Sequence, residues 1–277
     1  MHARLQGVQG LCSPGHPLFH SPGPERFLRA GHIAEEAVVN AYRFAPGEAV
    51  DATILAKSGL LLAASGTRLN PYAVFVPRDE RGVVRSIEIG PRCSVGAYAV
   101  VCGGTVLREN ARVEEHALVG APERGYAVGQ IYPGAGDSTV IGAEAIVRSG
   151  AVIYAGAEVG DGTLVGHHTL LRSFVTVGPN SQLGHHLTVE RASSIGTQVR
   201  CSPGSHITSS CVLSNRVFLG AGVRTVNDRE LIWRDPDREP ELAPPRFERG
   251  ARVGSGSVIL AGVTVGEDAL VGGRDRS

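Results

Sequence analysis

The chain has 277 residues, enough for one large domain or two modest ones. Its 27 Lys and Arg balance its 27 Asp and Glu, so no net charge steers it toward nucleic acid or an anionic surface. Aromatics make up only 5% while glycines number 37, which excludes a core filled by bulky rings.

The chain opens with Met1-His2-Ala3-Arg4 and a Gly-, Pro- and His-rich stretch over residues 1–30. That stretch reads as loop, and it has no apolar run of the kind a secretory leader needs. A short helix is expected over Ala34–Tyr42, with Glu35 and Glu36 in its first turn. Apolar runs at Ala52–Ala64, Ala73–Pro77 and Val83–Ile89 read as strands, the last two joined by a turn at residues 79–82. Ile54–Ser65 is the most apolar segment; it contains Lys57 and is too short to span a membrane. Residues 1–86 are expected to form a mixed or β-rich region without an assigned function, covering an open strand edge of the repeats that begin near Ile89.

From Ile89 a six-residue period begins, with aliphatic residues at Ile89, Val95, Val101, Leu107, Val113 and Val119. Residues 121–138 interrupt it as an extruded loop. The period then runs from Ile141 to Arg224 without a slip in register, through Val147, Val165, Leu183, Cys201 and Leu219 among others. A second inward position, small or aliphatic, follows each of these by four residues. A second loop is expected over 225–250, and the period resumes at Val253, Ile259, Val265 and Val271. So short a period means a solenoid. Each unit supplies one short strand and one corner, and three units close a triangular coil, so residues eighteen apart stack. Gly150, Gly156, Gly162, Asn180, Gly204 and Asn215 suit corners with positive φ. The expected organisation is a small N-terminal region over 1–86 and a β-helix over 87–277. Cys93, Cys201 and Cys211 fall on inward positions, Cys102 on a small position, and no cysteine pair has zinc or redox spacing, so a reduced, cytoplasmic protein without a bound metal is expected.

The uninterrupted repeat resembles that of the hexapeptide-repeat acyltransferases, over about half the chain. The resemblance implies a left-handed parallel β-helix, a handedness that periodicity alone does not give. It also implies a homotrimer with active sites between neighbouring helices, and acyl-coenzyme A as co-substrate, acetyl-coenzyme A first. The implied reaction is acyl transfer to the amine of a small molecule, with a nucleotide-linked amino sugar favoured.

Two identical corners stand eighteen residues apart: Val165-Gly166-His167-His168 and Leu183-Gly184-His185-His186. One coil apart, His167 should lie beside His185 and His168 beside His186, near the strand spacing of about 4.8 Å. In several hexapeptide acyltransferases the general base is a His two residues after the aliphatic position, which His167 and His185 match. A neutral imidazole can take a proton from an attacking amine near physiological pH. His185 is preferred as the one expected nearer the second loop, with His168 and His186 as acceptor-binding groups. Polar residues at exposed corners are the plain alternative, and His206 and His116 read as surface residues. Gly222-Val223-Arg224-Thr225-Val226-Asn227-Asp228 resembles the segment at which sugar-nucleotide acyltransferases leave the coil, although Val226 displaces the Thr by one position. Asn227 and Asp228 are thus candidates for binding the acceptor or for opening an Asx-type turn. Trp233 is a candidate for stacking on a base or on a neighbouring subunit. By the same resemblance Arg246, Arg249 and Arg252 are candidates for coenzyme A phosphates, against plain solvated charge.

Three rival functions make different demands on these residues. A γ-class carbonic anhydrase shares the solenoid and needs two His ligands five residues apart. The positions five after His185 and His186 are Glu190 and Arg191, and five after His167 and His168 are Arg172 and Ser173. A nucleotidyltransferase unit would need a Gly-rich phosphate loop, which residues 1–86 lack. A scaffolding β-helix without catalysis would show more monotonous corners, since repeats encode only the fold.

Overall fold

The computed structural model describes residues 48–79, 82–125, 127–132, 137–231, 238 and 240–272. The chain winds as a left-handed parallel β-helix of triangular section. Its three flat faces are parallel sheets of 10, 10 and 9 strands. The first face starts with Leu61–Ala63, the second with Arg68–Leu69 and the third with Val74–Val76. Each turn of chain visits the faces in that order. The coil is eighteen residues long wherever nothing is inserted, so on the second face Val147, Val165, Leu183, Cys201 and Leu219 pair in succession.

Most strands are two residues long, one side chain inward and one outward. The inward aliphatic residues form columns, with Val147, Val165, Leu183, Val189 and Ile207 fully buried. At the second inward position the hydroxyls of Thr163, Thr169, Ser181, Ser193 and Ser205 each meet the carbonyl of a corner one coil on, whereas those of Thr105 and Thr139 are buried without a partner among the described residues. Thr163 Oγ1 donates to the Gly178 carbonyl at 3.0 Å, and Ser181 Oγ to that of Gly196 at 2.9 Å. A buried hydroxyl without such a partner costs on the order of 1–3 kcal/mol. The cysteines behave as small apolar residues here. Cys93, Cys102, Cys201 and Cys211 are buried, and burial pushes the Cys211 thiol up to about 12.

The coil begins earlier than the repeat period indicates. Leu61–Ala63 pairs with Ile87–Ile89, Arg68–Leu69 with Ser94–Val95, and Val74–Val76 with Val100–Cys102. Residues 61–86 therefore supply the first turn of the solenoid, and the expected boundary at 86/87 moves back. The segment 77–86, inserted after Val76, breaks the period and hides this turn in the sequence. The expected strand over Ala52–Ala64 is helical at its start. In helix α1 (Ala52–Lys57), Asp51 Oδ1 accepts from the Thr53 and Ile54 N–H groups at 2.8 and 3.3 Å, and Gly59 follows the helix end at φ 76°. A capping acid before Ala, Leu and Lys outweighs the β-branched residues between them. Leu55 is buried in the common core, so α1 covers the first coil. The helix expected over Ala34–Tyr42 lies outside the described residues. No helix among the described residues is long and apolar enough to cross a membrane.

All three insertions leave the coil at one corner, the one between the third and first faces. Residues 77–86 follow Val74–Val76, the first extruded loop follows Leu118–Ala121, and the second follows Arg224–Thr225. The chain re-enters the first face at Ile87, Thr139 and Arg246. Gly120 sits at the start of the first loop with φ 80°, and a Cβ there would collide with the Thr105 hydroxyl.

Removing one inward side chain should damage the column far more than removing its outward neighbour. Leu183→Ala is expected to lower unfolding free energy by about 2–5 kcal/mol, against less than about 0.5 kcal/mol for the exposed Gln182→Ala. Urea unfolding of the two variants checks this, and equal losses would contradict the inward assignment.

Candidate active site

The four predicted histidines do meet, on the corner between the second and third faces. Strands Leu164–Val165 and Leu170–Leu171 flank His167 and His168, and Gln182–Leu183 and Thr188–Val189 flank His185 and His186. The backbone ladder sets the spacing: the His186 N–H donates to the His167 carbonyl at 2.9 Å. From inside the coil, Thr169 Oγ1 donates to the Gly184 carbonyl at 2.6 Å and accepts from the Leu187 N–H at 3.3 Å. The corner is thus fixed on both sides of His185.

The His167 and His185 rings lie 5.1 Å apart, tilted by 30°, and those of His168 and His186 lie 5.1 Å apart, stacked within 15°. The His167 N–H donates to Nδ1 of His185 at 3.0 Å. With that lone pair occupied, neutral His185 carries its proton on Nε2 and presents a donor. His167 is half-buried and its ring has no hydrogen-bond partner among the described residues. The geometry therefore gives the two imidazoles different hydrogen-bonding states.

His168 and His186 take left-handed backbone conformations, with φ of 54° and 51°. Such positions cost a non-glycine residue about 1–2 kcal/mol. One coil before His168 stands Gly150, also left-handed at φ 70°, where a Cβ would collide with the His168 imidazole. Further down the same corner His116 stacks on Tyr98 at 5.3 Å, and Tyr98 on Tyr72 at 5.6 Å. His116 therefore belongs to a stacked column, and its eighteen-residue spacing from Tyr98 is the signal that would have found it.

The other predicted residues stand elsewhere. Asn227 and Asp228 open the second loop at the corner between the third and first faces. Asn227 Nδ2 donates to Ser209 Oγ at 2.7 Å. Asp228 Oδ1 accepts from the Glu230 and Leu231 N–H groups at 2.8 and 2.9 Å, an Asx-type turn. Within one chain neither residue shares the histidine corner. Arg246 projects from the first face and Arg252 from the second, with Arg249 at the corner between them. Arg249 pairs with Glu267, and Arg252 Nη2 donates to the Asp268 carbonyl at 3.0 Å. Trp233 lies outside the described residues.

A charged network on the loop-bearing corner was not legible in the sequence. Arg172 pairs with Glu123 of the first loop and with Glu190 one coil on, and His206 Nε2 lies 3.5 Å from Glu190. Glu123 is 1% exposed and also accepts from the Ser173 N–H at 3.0 Å. The Arg172 and Arg191 guanidiniums lie 5.6 and 5.1 Å from the Tyr132 ring. Burial works against the charge of Arg172, and its bonds to Glu190 and Glu123 outweigh that and push its pKa up. The His206 hydrogen bond, then Arg172, hold Glu190 below the usual carboxylate range despite its burial. His206, expected on the surface, is part of this network. Nothing in the sequence pairs Glu123 with Arg172, because the contact runs from a loop to a coil.

A carboxylate with a depressed folded pKa contributes stability above its unfolded value and loses it as pH falls through the folded one. The Glu190 contribution should therefore be complete above about pH 4.5 and disappear below it. The urea midpoint of the wild type should fall on acidification through that range, and Glu190→Gln should flatten the fall. Parallel pH profiles for the two proteins would contradict the network.

No protein-family model matches the chain. A curated relative, the acyl-[acyl-carrier-protein]–UDP-N-acetylglucosamine O-acyltransferase of Bartonella bacilliformis, is 25% identical over 137 residues, 45% of this chain and 48% of the relative. Among solved structures, the acetyltransferase domain of PglB from Neisseria gonorrhoeae, in complex with acetyl coenzyme A, is 22% identical, with 44% of this chain and 53% of that one covered at a TM-score of 0.35. The UDP-N-acetylglucosamine acyltransferase LpxA from Bacteroides fragilis is 12% identical, with 70% and 66% covered at a TM-score of 0.37. The chain spans about half the length of the curated relative it matches.

Proposed function

We propose that the chain is an acyltransferase that moves a short acyl group from a thioester to the amine of a nucleotide-linked amino sugar. The donor in this reading is acyl-coenzyme A, acetyl-coenzyme A first, and the working form is a homotrimer in the cytoplasm. The observation that carries it is the neighbouring pair His167 and His185, two residues after an aliphatic position in each of two successive coils. The relative's reaction supports the acyl chemistry and the sugar-nucleotide acceptor. The buried thiols suit a reducing compartment.

The roles follow from the hydrogen bond between the two residues. The acceptor amine attacks the thioester carbonyl, and His167 takes the proton the amine loses. His185 presents its Nε2–H as a donor to the oxyanion of the tetrahedral intermediate. The carbon–sulfur bond then breaks, and the thiolate takes back a proton from His167. His168 and His186, on the outer edge of the same corner, bind the acceptor. Asn227, Asp228 and Trp233 belong to the second loop, on another corner of the same chain. In a trimer that loop would serve a neighbouring subunit's histidines, which is why we retain these residues as acceptor-binding. Of the three arginines, Arg246 alone has a guanidinium that makes no bond with a side chain or carbonyl among the described residues, and it is the first candidate for a coenzyme A phosphate; Arg249 and Arg252 would exchange their present partners for one.

The relative's reaction favours a second version of the same chemistry, in which a carrier protein delivers the acyl group to a hydroxyl. Thiol release from acetyl-coenzyme A and from an acyl carrier protein, each with nucleotide-linked amino sugars, separates the two versions. His167→Ala should lower kcat by about 10²–10⁴-fold, with a smaller loss for His185→Ala. His186→Gly relieves a left-handed position, so it should weaken acceptor binding without lowering thermal stability. Full activity in His167→Ala would remove it as the base. The absence of acceptor-dependent release from both donors would overturn the acyltransferase reading.

A further inference from the structure

The corner that bears the loops encloses a cavity of about 380 Å³, apart from the histidines. It lies against the outer side of the third face, between the 77–86 segment and the first extruded loop. Val76, Val100, Leu118 and Tyr154 give it an apolar wall, and Arg85 and Arg124 also line it. Asp79 also lines it, but its Oδ1 already accepts the Val83 N–H at 2.8 Å and holds the turn of that segment.

Arg85 is the informative residue. It is half-buried and makes no ion pair among the described residues. Partial burial of a guanidinium without a counter-charge is unfavourable, and a bound carboxylate or phosphate would remove that cost with a bidentate contact. The volume is at the small end of ligand sites, and its mix of apolar wall and few polar groups is the usual composition of one. The cavity and the histidines also lie at opposite edges of the third face. Tyr154 ends the strand Val152–Tyr154 on one side, while His167 and His168 precede Leu170–Leu171 on the other.

We infer that this cavity is a second binding site, for a small molecule with an apolar body and one anionic end, held by Arg85. Such a site is independent of the acyltransferase reading.

Calorimetric titration with octanoate, octyl phosphate and neutral octanol tests it. Saturable binding of either anion, at least tenfold tighter than octanol, is expected. Arg85→Gln should weaken it at least tenfold, and Val100→Trp, which fills the apolar wall, should abolish it. Preference between the two anions identifies the end group as carboxylate or phosphate ester. His167→Ala should leave binding unchanged, whether or not that variant is active. Absence of saturable anion binding, equal binding of octanol, unchanged affinity in Arg85→Gln or loss in His167→Ala would each overturn the inference. Arg85→Gln alters one half-buried side chain outside the core, so it remains informative if Val100→Trp fails to fold.

Discussion

The constraint on which the structure depends is the eighteen-residue register of the coil. Each backbone amide pairs with the coil before or after it, and each inward side chain rests on one eighteen residues away. A slip of one residue would turn every inward aliphatic residue outward, so the register is strongly held. Once it is held, a corner residue has its partner one strand spacing away, whatever its chemistry. The imidazole pairs, the Tyr98–His116 stack and the Arg172–Glu190 pair are three instances of this rule.

The register also explains how the molecule separates its tasks. An insertion at a corner lengthens the connection without disturbing the strands on either side, and longer loops cost little extra closure entropy. All three insertions use the same corner. The 121–138 loop is tied back by Glu123, whose buried carboxylate serves both Arg172 and the Ser173 amide. The histidine corner carries no insertion and stays open to solvent. Its left-handed positions at His168 and His186 recur at the other corners of the coil, as at Phe174, Ala192 and Gln198.

The columnar core was legible from the sequence because the six-residue period directly reports which side chains face inward. The pairing of the histidines followed from the same arithmetic, and 5.1 Å separates the rings that were expected to neighbour. Three things were not legible. The first coil was hidden because the 77–86 insertion breaks the period between Phe75 and Ile87, and α1 was hidden because its cap, Asp51, precedes a run that also suits a strand. The difference between His167 and His185 lies in a backbone hydrogen bond between corners, which residue identity cannot report. The cavity and the Glu123 tie arise where loops fold back on a face, and no periodicity governs that.

The central claim is that acyl transfer takes place at the histidine corner with His167 and His185 in different roles. Nitrogen NMR of the imidazoles, in the presence and absence of an acetyl-coenzyme A analogue and a nucleotide-linked amino sugar, tests it most directly. The account predicts His185 as the Nε2–H tautomer in the free protein, and ligand-induced shifts at His167 and His185 that leave His116 unmoved. An Nδ1–H tautomer at His185, or ligand shifts that spare both rings, would contradict it.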